Sequence, residues 1–252
     1  MKRTFKHLVY GLFYLVIFGA IFYGAYSVFF KTAPSCFNGV KDPGEQGIDC
    51  GGVCSNFCLP SGLSDIETSG QAQIFHPATS SISVMAEVQN KNADFAVQDL
   101  PYKFVFYDNQ GNILYERYGN SFVYASEIKY ITEFNLNFSD AYKIITVGFK
   151  LGETKWVPKS LFGQPQLAKQ SLNTASSSKG LTATGNFINN STVPVRKVTI
   201  FAVFYGKLGQ PAGISGSEID DVAPGQQYPF SVFHPALTNI DTSKTQIYLY
   251  GN

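Results

Sequence analysis

Charge is scarce in this chain: Asp, Glu, Lys and Arg make up 15% of its 252 residues, where about a quarter is usual. The 19 basic and 18 acidic residues leave a net charge of +1, so no field of one sign is available to hold nucleic acid or an acidic substrate. Histidine occurs three times (His7, His76 and His234), methionine twice and tryptophan once (Trp156). That scarcity removes most metal clusters and general-base pairs. No GxSxG, GxxxxGK[ST], HExxH or GxGxxG sequence is present. The nucleophile elbow, phosphate loop, zinc helix and dinucleotide turn are therefore all missing. Asp220 and Asp221 are neighbours, and on a strand such side chains point to opposite faces. An enzyme is not expected. The chain has instead 22 Phe, 15 Tyr, 23 Gly and 12 Pro, a composition that suits β-structure with many turns.

Residues 8–30 are 23 consecutive residues without a charge. As a helix they extend about 35 Å, enough to cross a bilayer core. Tyr10 and Tyr14 near one end, and Tyr23, Tyr26, Phe29 and Phe30 near the other, resemble interfacial aromatic belts. Lys2, Arg3 and Lys6 precede the run and only Lys31 follows closely. The bias of positive charge predicts a cytoplasmic N-terminus and an extracytoplasmic remainder. The run is too long for a secretory signal core and ends in Ser-Val-Phe-Phe-Lys, without a small-residue exit. A single-pass anchor in the cell membrane is expected, with residues 8–30 in contact with lipid.

All four cysteines follow within 23 residues, at 36, 50, 54 and 58. In an oxidising compartment they read as two disulfides, and three pairings remain open. Their spacing contains no CxxC and no histidine lies near, which disfavours zinc and redox chemistry. Asn38, Asp42, Glu45 and Asp49 supply oxygen donors among Gly39, Gly44 and Gly47. That makes them a candidate calcium loop, although the same residues are ordinary turn formers. The run Cys36-x-Asn38-Gly39-x-x-Asp42-x-x-Glu45-x-Gly47-x-Asp49-Cys50-Gly51-Gly52-x-Cys54 resembles a short cysteine-rich repeat of bacterial surface proteins. The resemblance implies a surface location and a structural staple rather than an activity.

Beyond Leu59 the pattern changes to period two. Ile82, Val84, Ala86 and Val88 share one face of a strand, and Tyr102–Tyr107 followed by Asp-Asn-Gln-Gly-Asn is a hairpin signature. Further strands are expected at 120–124, 128–138 and 144–151, then at 181–188, 195–205, 213–219, 227–233 and 246–250. The segment Phe104-Val-Phe-Tyr107 to Gly111 aligns with Ala202-Val-Phe-Tyr205 to Gly209 at an offset of 98 residues, and Asn90 faces Asn189 one residue out of phase. Such a period suits two sequential β-sandwiches. Phe104-x-Phe106-Tyr107-Asp108, and in the second half Thr184-Gly185-x-Phe187-x-Asn189-Asn190, Val195-x-x-Val198, Phe204-Tyr205 and Asp221-x-Ala223-Pro224-Gly225, resemble the bacterial FxLYD-type domains. The resemblance implies a small immunoglobulin-like sandwich without a common catalytic site. The first half departs from it, with Tyr124-Ala-Ser-Glu127 in place of Ala-Pro-Gly.

The fold expected is therefore all-β, two tandem immunoglobulin-like antiparallel sandwiches after one transmembrane helix. Its parts are a cytoplasmic start (1–7), the span (8–30), a disulfide collar and linker (31–65), one sandwich (66–160), a linker or first strand (161–180) and a second sandwich (181–252). Phe104 and Phe106 share one strand face and Val105 and Tyr107 the other, of which one is expected to pack and the other to meet solvent. The His76-Pro77 and His234-Pro235 pairs are expected in turns. The function expected is binding of a protein partner at the cell surface. Alternatives are an accessory subunit of an envelope secretion or pilus-type complex, or a sugar-binding module using Trp156.

Overall fold

The computed structural model describes residues 3–29, 35–139 and 141–252. Two of the residues behind the charge-bias argument, Lys2 and Lys31, lie outside these, as does Phe30 at the end of the expected span. The chain divides into two compact units, Met1–Pro60 and Ser61–Asn252.

In the first unit, helix α1 covers Arg3–Phe29. Within it Phe5–Ser27, 23 residues, is long and apolar enough to cross a membrane by length and composition. Its apolar side chains point outward all round, with Leu8, Leu15 and Phe22 at least two-thirds exposed. A helix apolar on every face is stable only where no water meets it.

The second unit is all-β and antiparallel. Strands β1 (Glu67–Ala78), β2 (Ser81–Gln89) and β5 (Ile128–Asn137) form one sheet in the order β1-β2-β5. Its partner sheet runs β4 (Ile113–Val123), β3 (Phe95–Tyr107), β6 (Thr146–Leu151), with β7 (Trp156–Pro158) also pairing β3. Between the two sheets lies a core of Ile82, Val84, Ala86 and Val88 from β2 with Val97, Leu100, Phe104 and Phe106 from β3. The alternation read in β2 therefore selects the core face as expected. Val105, on the opposite face of β3, is buried too. The short strand expected at 120–124 belongs to a longer one, β4.

The second sandwich repeats the plan. Strands β8 (Leu167–Ser176), β9 (Gly180–Asn189) and β12 (Gln227–Pro235) form one sheet, ordered β12-β9-β8. Strands β10 (Val195–Tyr205), β11 (Pro211–Val222) and β13 (Gln246–Gly251) form the other, ordered β11-β10-β13. Leu181, Phe187, Val198, Ile200, Ala202 and Phe204 fill its core. Strand β8 thus occupies half of the stretch read as linker or first strand.

Equivalent hairpins close β3–β4 and β10–β11. The Asp108 amide donates to Asn112 O (3.1 Å) and the Gly111 amide to Asp108 O (3.2 Å). In the second sandwich the Gly206 amide donates to Gln210 O (2.8 Å) and the Gly209 amide to Gly206 O (2.9 Å). Deeper still is a pair of asparagine cages. The Asn90 amide group donates to Phe95 O (2.8 Å) and Tyr124 O (2.9 Å), while its Oδ1 accepts from the Asn92 amide (2.9 Å). Asn189 donates to Val193 O (3.0 Å) and Val222 O (3.2 Å) and accepts from the Ser191 amide (2.9 Å). Both side chains are almost fully buried, and each tethers a loop to a strand end through bonds that no apolar residue offers. The turn facing each cage needs a left-handed residue. In the second sandwich Gly225 takes it at φ 70°, and in the first Ser126 takes the same conformation at φ 58°. The departure from Ala-Pro-Gly therefore leaves the turn intact.

The two sandwiches share a seam. Strand β10 is buried on both faces: Val198, Ile200, Ala202 and Phe204 enter its own core, while Phe201 and Val203 join Phe75, Met85 and Ile214 in a separate cluster. Rings close this layer. Tyr130 of β5 lies 5.9 Å from Phe201 and 5.1 Å from Tyr248, and Phe134 lies 5.8 Å from Phe201. Phe134 rests against Gly216, where a Cβ would come within 2.4 Å of its ring. Hydrogen bonds cross the seam as well: Tyr124 Oη donates to Gly251 O (2.7 Å), and the Tyr130 amide donates to Tyr250 Oη (3.0 Å).

Candidate functional site

The cysteine module closes as Cys36–Cys54 and Cys50–Cys58, with Cα separations of 5.6 and 5.0 Å. Of the three open pairings it takes the interleaved one. Only Glu45 and Cys54 are buried within it. Gly47 allows the second bridge, since a Cβ there would stand 2.6 Å from Cys50 Sγ and 2.9 Å from Cys58 Sγ.

The oxygen donors of the candidate calcium loop serve the loop itself. Asp49 accepts from the amides of Asn38 (2.9 Å) and Gly39 (2.8 Å). Asp42 accepts from the Ser35 amide (2.9 Å) and from Asn38 Nδ2 (2.8 Å). Glu45 Oε2 accepts from the amides of Asp42 (3.0 Å) and Asp49 (3.2 Å). Ligands sharing one calcium ion sit within roughly 5 Å of one another. Among the described residues, the group of His, Cys, Asp and Glu side chains that gathers within 4.8 Å is Cys36, Glu45 and Cys54, not Asp42, Glu45 and Asp49. Both sulfurs of that group are spent in a disulfide. The acidic side chains are thus arranged as acceptors of backbone amides.

In the second unit, charged groups concentrate where the sandwiches meet. A cleft of about 650 Å³ opens there, lined among others by Tyr102, Phe122, Lys129, Glu133, Arg196 and Tyr250. Glu133 accepts from Tyr102 Oη (2.9 Å) and pairs with Arg117 Nε (3.3 Å). Lys129 is buried, donates to Phe122 O (2.9 Å), and holds its ammonium over the Phe122 ring and 5.0 Å from that of Tyr250. Burial pulls its pKa down to about 7, against the opposing charge of Glu127. Glu127 is itself raised by burial, offset by Lys129 and by the Tyr124 amide it accepts (2.8 Å). A cation stacked on rings and capped by a carbonyl is stabilised although little water reaches it.

Sequence reasoning did not single out Lys129, and it met Tyr124 and Glu127 only as a departure from the Ala-Pro-Gly turn. A signal for Lys129 was present: it shares a strand face with the buried Ile131, a cation in the apolar phase of the alternation.

The other singled-out residues are placed as follows. His76 and His234 both lie in strands, β1 and β12, rather than in turns. The geometry that proline imposes on the preceding residue suits an extended strand end as well as a turn. His76 is exposed and His234 is buried. The His234 Nδ1 pairs with Pro235 O (2.7 Å), and its Nε2 has no hydrogen-bond partner among the described residues. Trp156 is half-buried and packs against the first core, so its ring is engaged by protein. Asp220 and Asp221 are both exposed, because Asp221 takes a left-handed φ of 56° that breaks the strand alternation.

No family model matches the chain, and no curated protein matches it. Among solved structures, red sea bream transglutaminase aligns at 17% identity, covering 75% of this chain and 31% of that one. The TM-score is 0.25, too low to carry an argument. The chain spans under a third of that protein's length.

Proposed function

We propose that this chain is a single-pass membrane-anchored protein that holds a non-catalytic pair of immunoglobulin-like sandwiches outside the cytoplasm, as a stiff platform for a protein partner. The observation that carries this reading is the succession of an apolar 23-residue helical stretch and, six residues after the helix ends, a module whose few buried side chains leave two disulfides to hold it together. Disulfides persist on the oxidising side of a membrane. Duplication of one FxLYD-like unit is supported by the paired hairpins and asparagine cages. A non-catalytic role is supported by the engagement of the polar side chains. His234 is sealed into a core, the module's carboxylates bind backbone amides, and Glu133 is held by Tyr102 and Arg117.

Two measurements on intact cells test the reading. External protease is expected to remove the sandwiches, and thiol alkylation without reductant to leave the cysteines unlabelled. Cross-linking at the surface should then recover one reproducible protein partner. Sandwiches cut only after the cells are opened, or freely labelled cysteines, would refute the topology. A second reading, an accessory subunit of an envelope complex, is favoured by the apolar helix, which projects Leu8, Leu15 and Phe22 away from its own chain. Replacing α1 with an unrelated span abolishes function if the helix docks on other helices, and preserves it if the helix only anchors.

A further inference from the structure

The cysteine module exposes apolar side chains out of proportion to its size. Phe37 is 81% exposed and Val53 77%, and Val40, Ile48 and Phe57 are exposed as well. Solvated modules stapled by disulfides need no such surface, and a cluster of this kind marks a site of contact. The two most exposed of these side chains flank one bridge. Each is the immediate neighbour of a half-cystine of the Cys36–Cys54 bridge, whose Cα atoms are 5.6 Å apart. One Cα step of 3.8 Å on either side keeps the backbones of Phe37 and Val53 within about 13 Å of each other. The bridge thus holds an aromatic and an aliphatic residue close in space although 16 positions apart in sequence.

The length of the chain decides what this patch can reach. Five residues separate Phe29, the end of α1, from Ser35, and even fully extended they span roughly 20 Å. The interfacial layer beside the hydrocarbon core is itself about 5–8 Å deep on each side. A module on so short a tether stays within reach of the surface through which its helix passes. Charge rules out docking by attraction to anionic headgroups, because the module carries Asp42, Glu45 and Asp49 against Lys41 alone. Its carboxylates, moreover, are occupied by backbone amides.

We infer that the disulfide-pinned patch around Phe37 and Val53 inserts into the interfacial layer of the same bilayer that α1 crosses, so that the module lies on the membrane rather than standing above it. The inference rests on the anchoring reading. The driving force is burial of apolar area at the boundary between headgroups and acyl chains. It therefore operates equally on zwitterionic and anionic membranes.

Depth-resolved fluorescence quenching of the full chain in phosphatidylcholine vesicles tests this. Trp156→Phe removes the native fluorophore, and single tryptophans are then introduced by Phe37→Trp, Val53→Trp, Leu15→Trp within α1 and Leu208→Trp on an exposed sandwich turn. Leu15→Trp is expected to be quenched most by lipids brominated toward the methyl end. Phe37→Trp and Val53→Trp should be quenched most by lipids brominated toward the headgroup end, with Leu208→Trp unquenched. Anionic lipid or added salt should leave the pattern unchanged. If Leu15→Trp is quenched while both module positions behave like Leu208→Trp, the inference is overturned and the patch is left for a protein. If Leu15→Trp also escapes quenching, the anchoring reading itself fails, and the inference with it.

Discussion

At the scale of single residues, stability is concentrated in a few buried polar groups. Asn189 makes three hydrogen bonds to backbone atoms while fully buried. Truncation to alanine orphans two carbonyls and an amide, at about 1–3 kcal/mol for each group left unsatisfied. Asn189→Ala is expected to destabilise the sandwiches by at least roughly 3 kcal/mol, read as a fall in urea midpoint. Asn190→Ala, one exposed residue along, should change stability by less than about 0.5 kcal/mol. His234 adds a pH dependence. Burial lowers its pKa, partly offset by its bond to Pro235, so the unfolded chain takes up the proton first. Stability should therefore fall as pH drops below about 6.5, the unperturbed value for histidine. In His234→Leu that decline should be reduced by this residue's share; an unchanged pH profile would show that the imidazole is not its source.

At the scale of elements, the module and the strands are held together by different forces. The module buries only Glu45 and Cys54, too little for a core, so its two bridges, worth about 2–4 kcal/mol each, carry its fold. Every cysteine precedes the first strand. Reductant should therefore expose residues 36–58 to protease at once while leaving the melting temperature of the sandwiches unchanged. A shift in that temperature would mean that the bridges also brace the strands. Elements differ in how plainly the sequence announces them. Strand β2 alternates, and its core face was legible residue by residue. Strand β10 was placed correctly, but a second buried face was not foreseen, since period two assigns the odd residues to solvent. Its continuous apolar run, Thr199-Ile-Phe-Ala-Val-Phe-Tyr205, is the mark of a strand covered on both sides. Strand β1 was missed altogether: most of its residues are exposed, and it is held mainly by its ladder to β2, which leaves no hydrophobic pattern to read. The disulfide pairing was beyond reach for a different reason, because spacing alone does not choose among three closures.

At the scale of the molecule, the seam turns two small sandwiches into one body. Phe201 is fully buried there and touches rings of both halves. Phe201→Ala should cost about 3–5 kcal/mol and split a single calorimetric unfolding transition into two, one for each sandwich. If the variant still unfolds in a single transition, the two halves are coupled by something other than this aromatic layer.

The bond from Tyr124 Oη to Gly251 O fastens the far end of β13 to the first sandwich, while β13 is zipped along β10 of the second. Tension drawn along β13 is consequently resisted in shear by both halves together. Two sandwiches joined this way bear mechanical load as a single bracket.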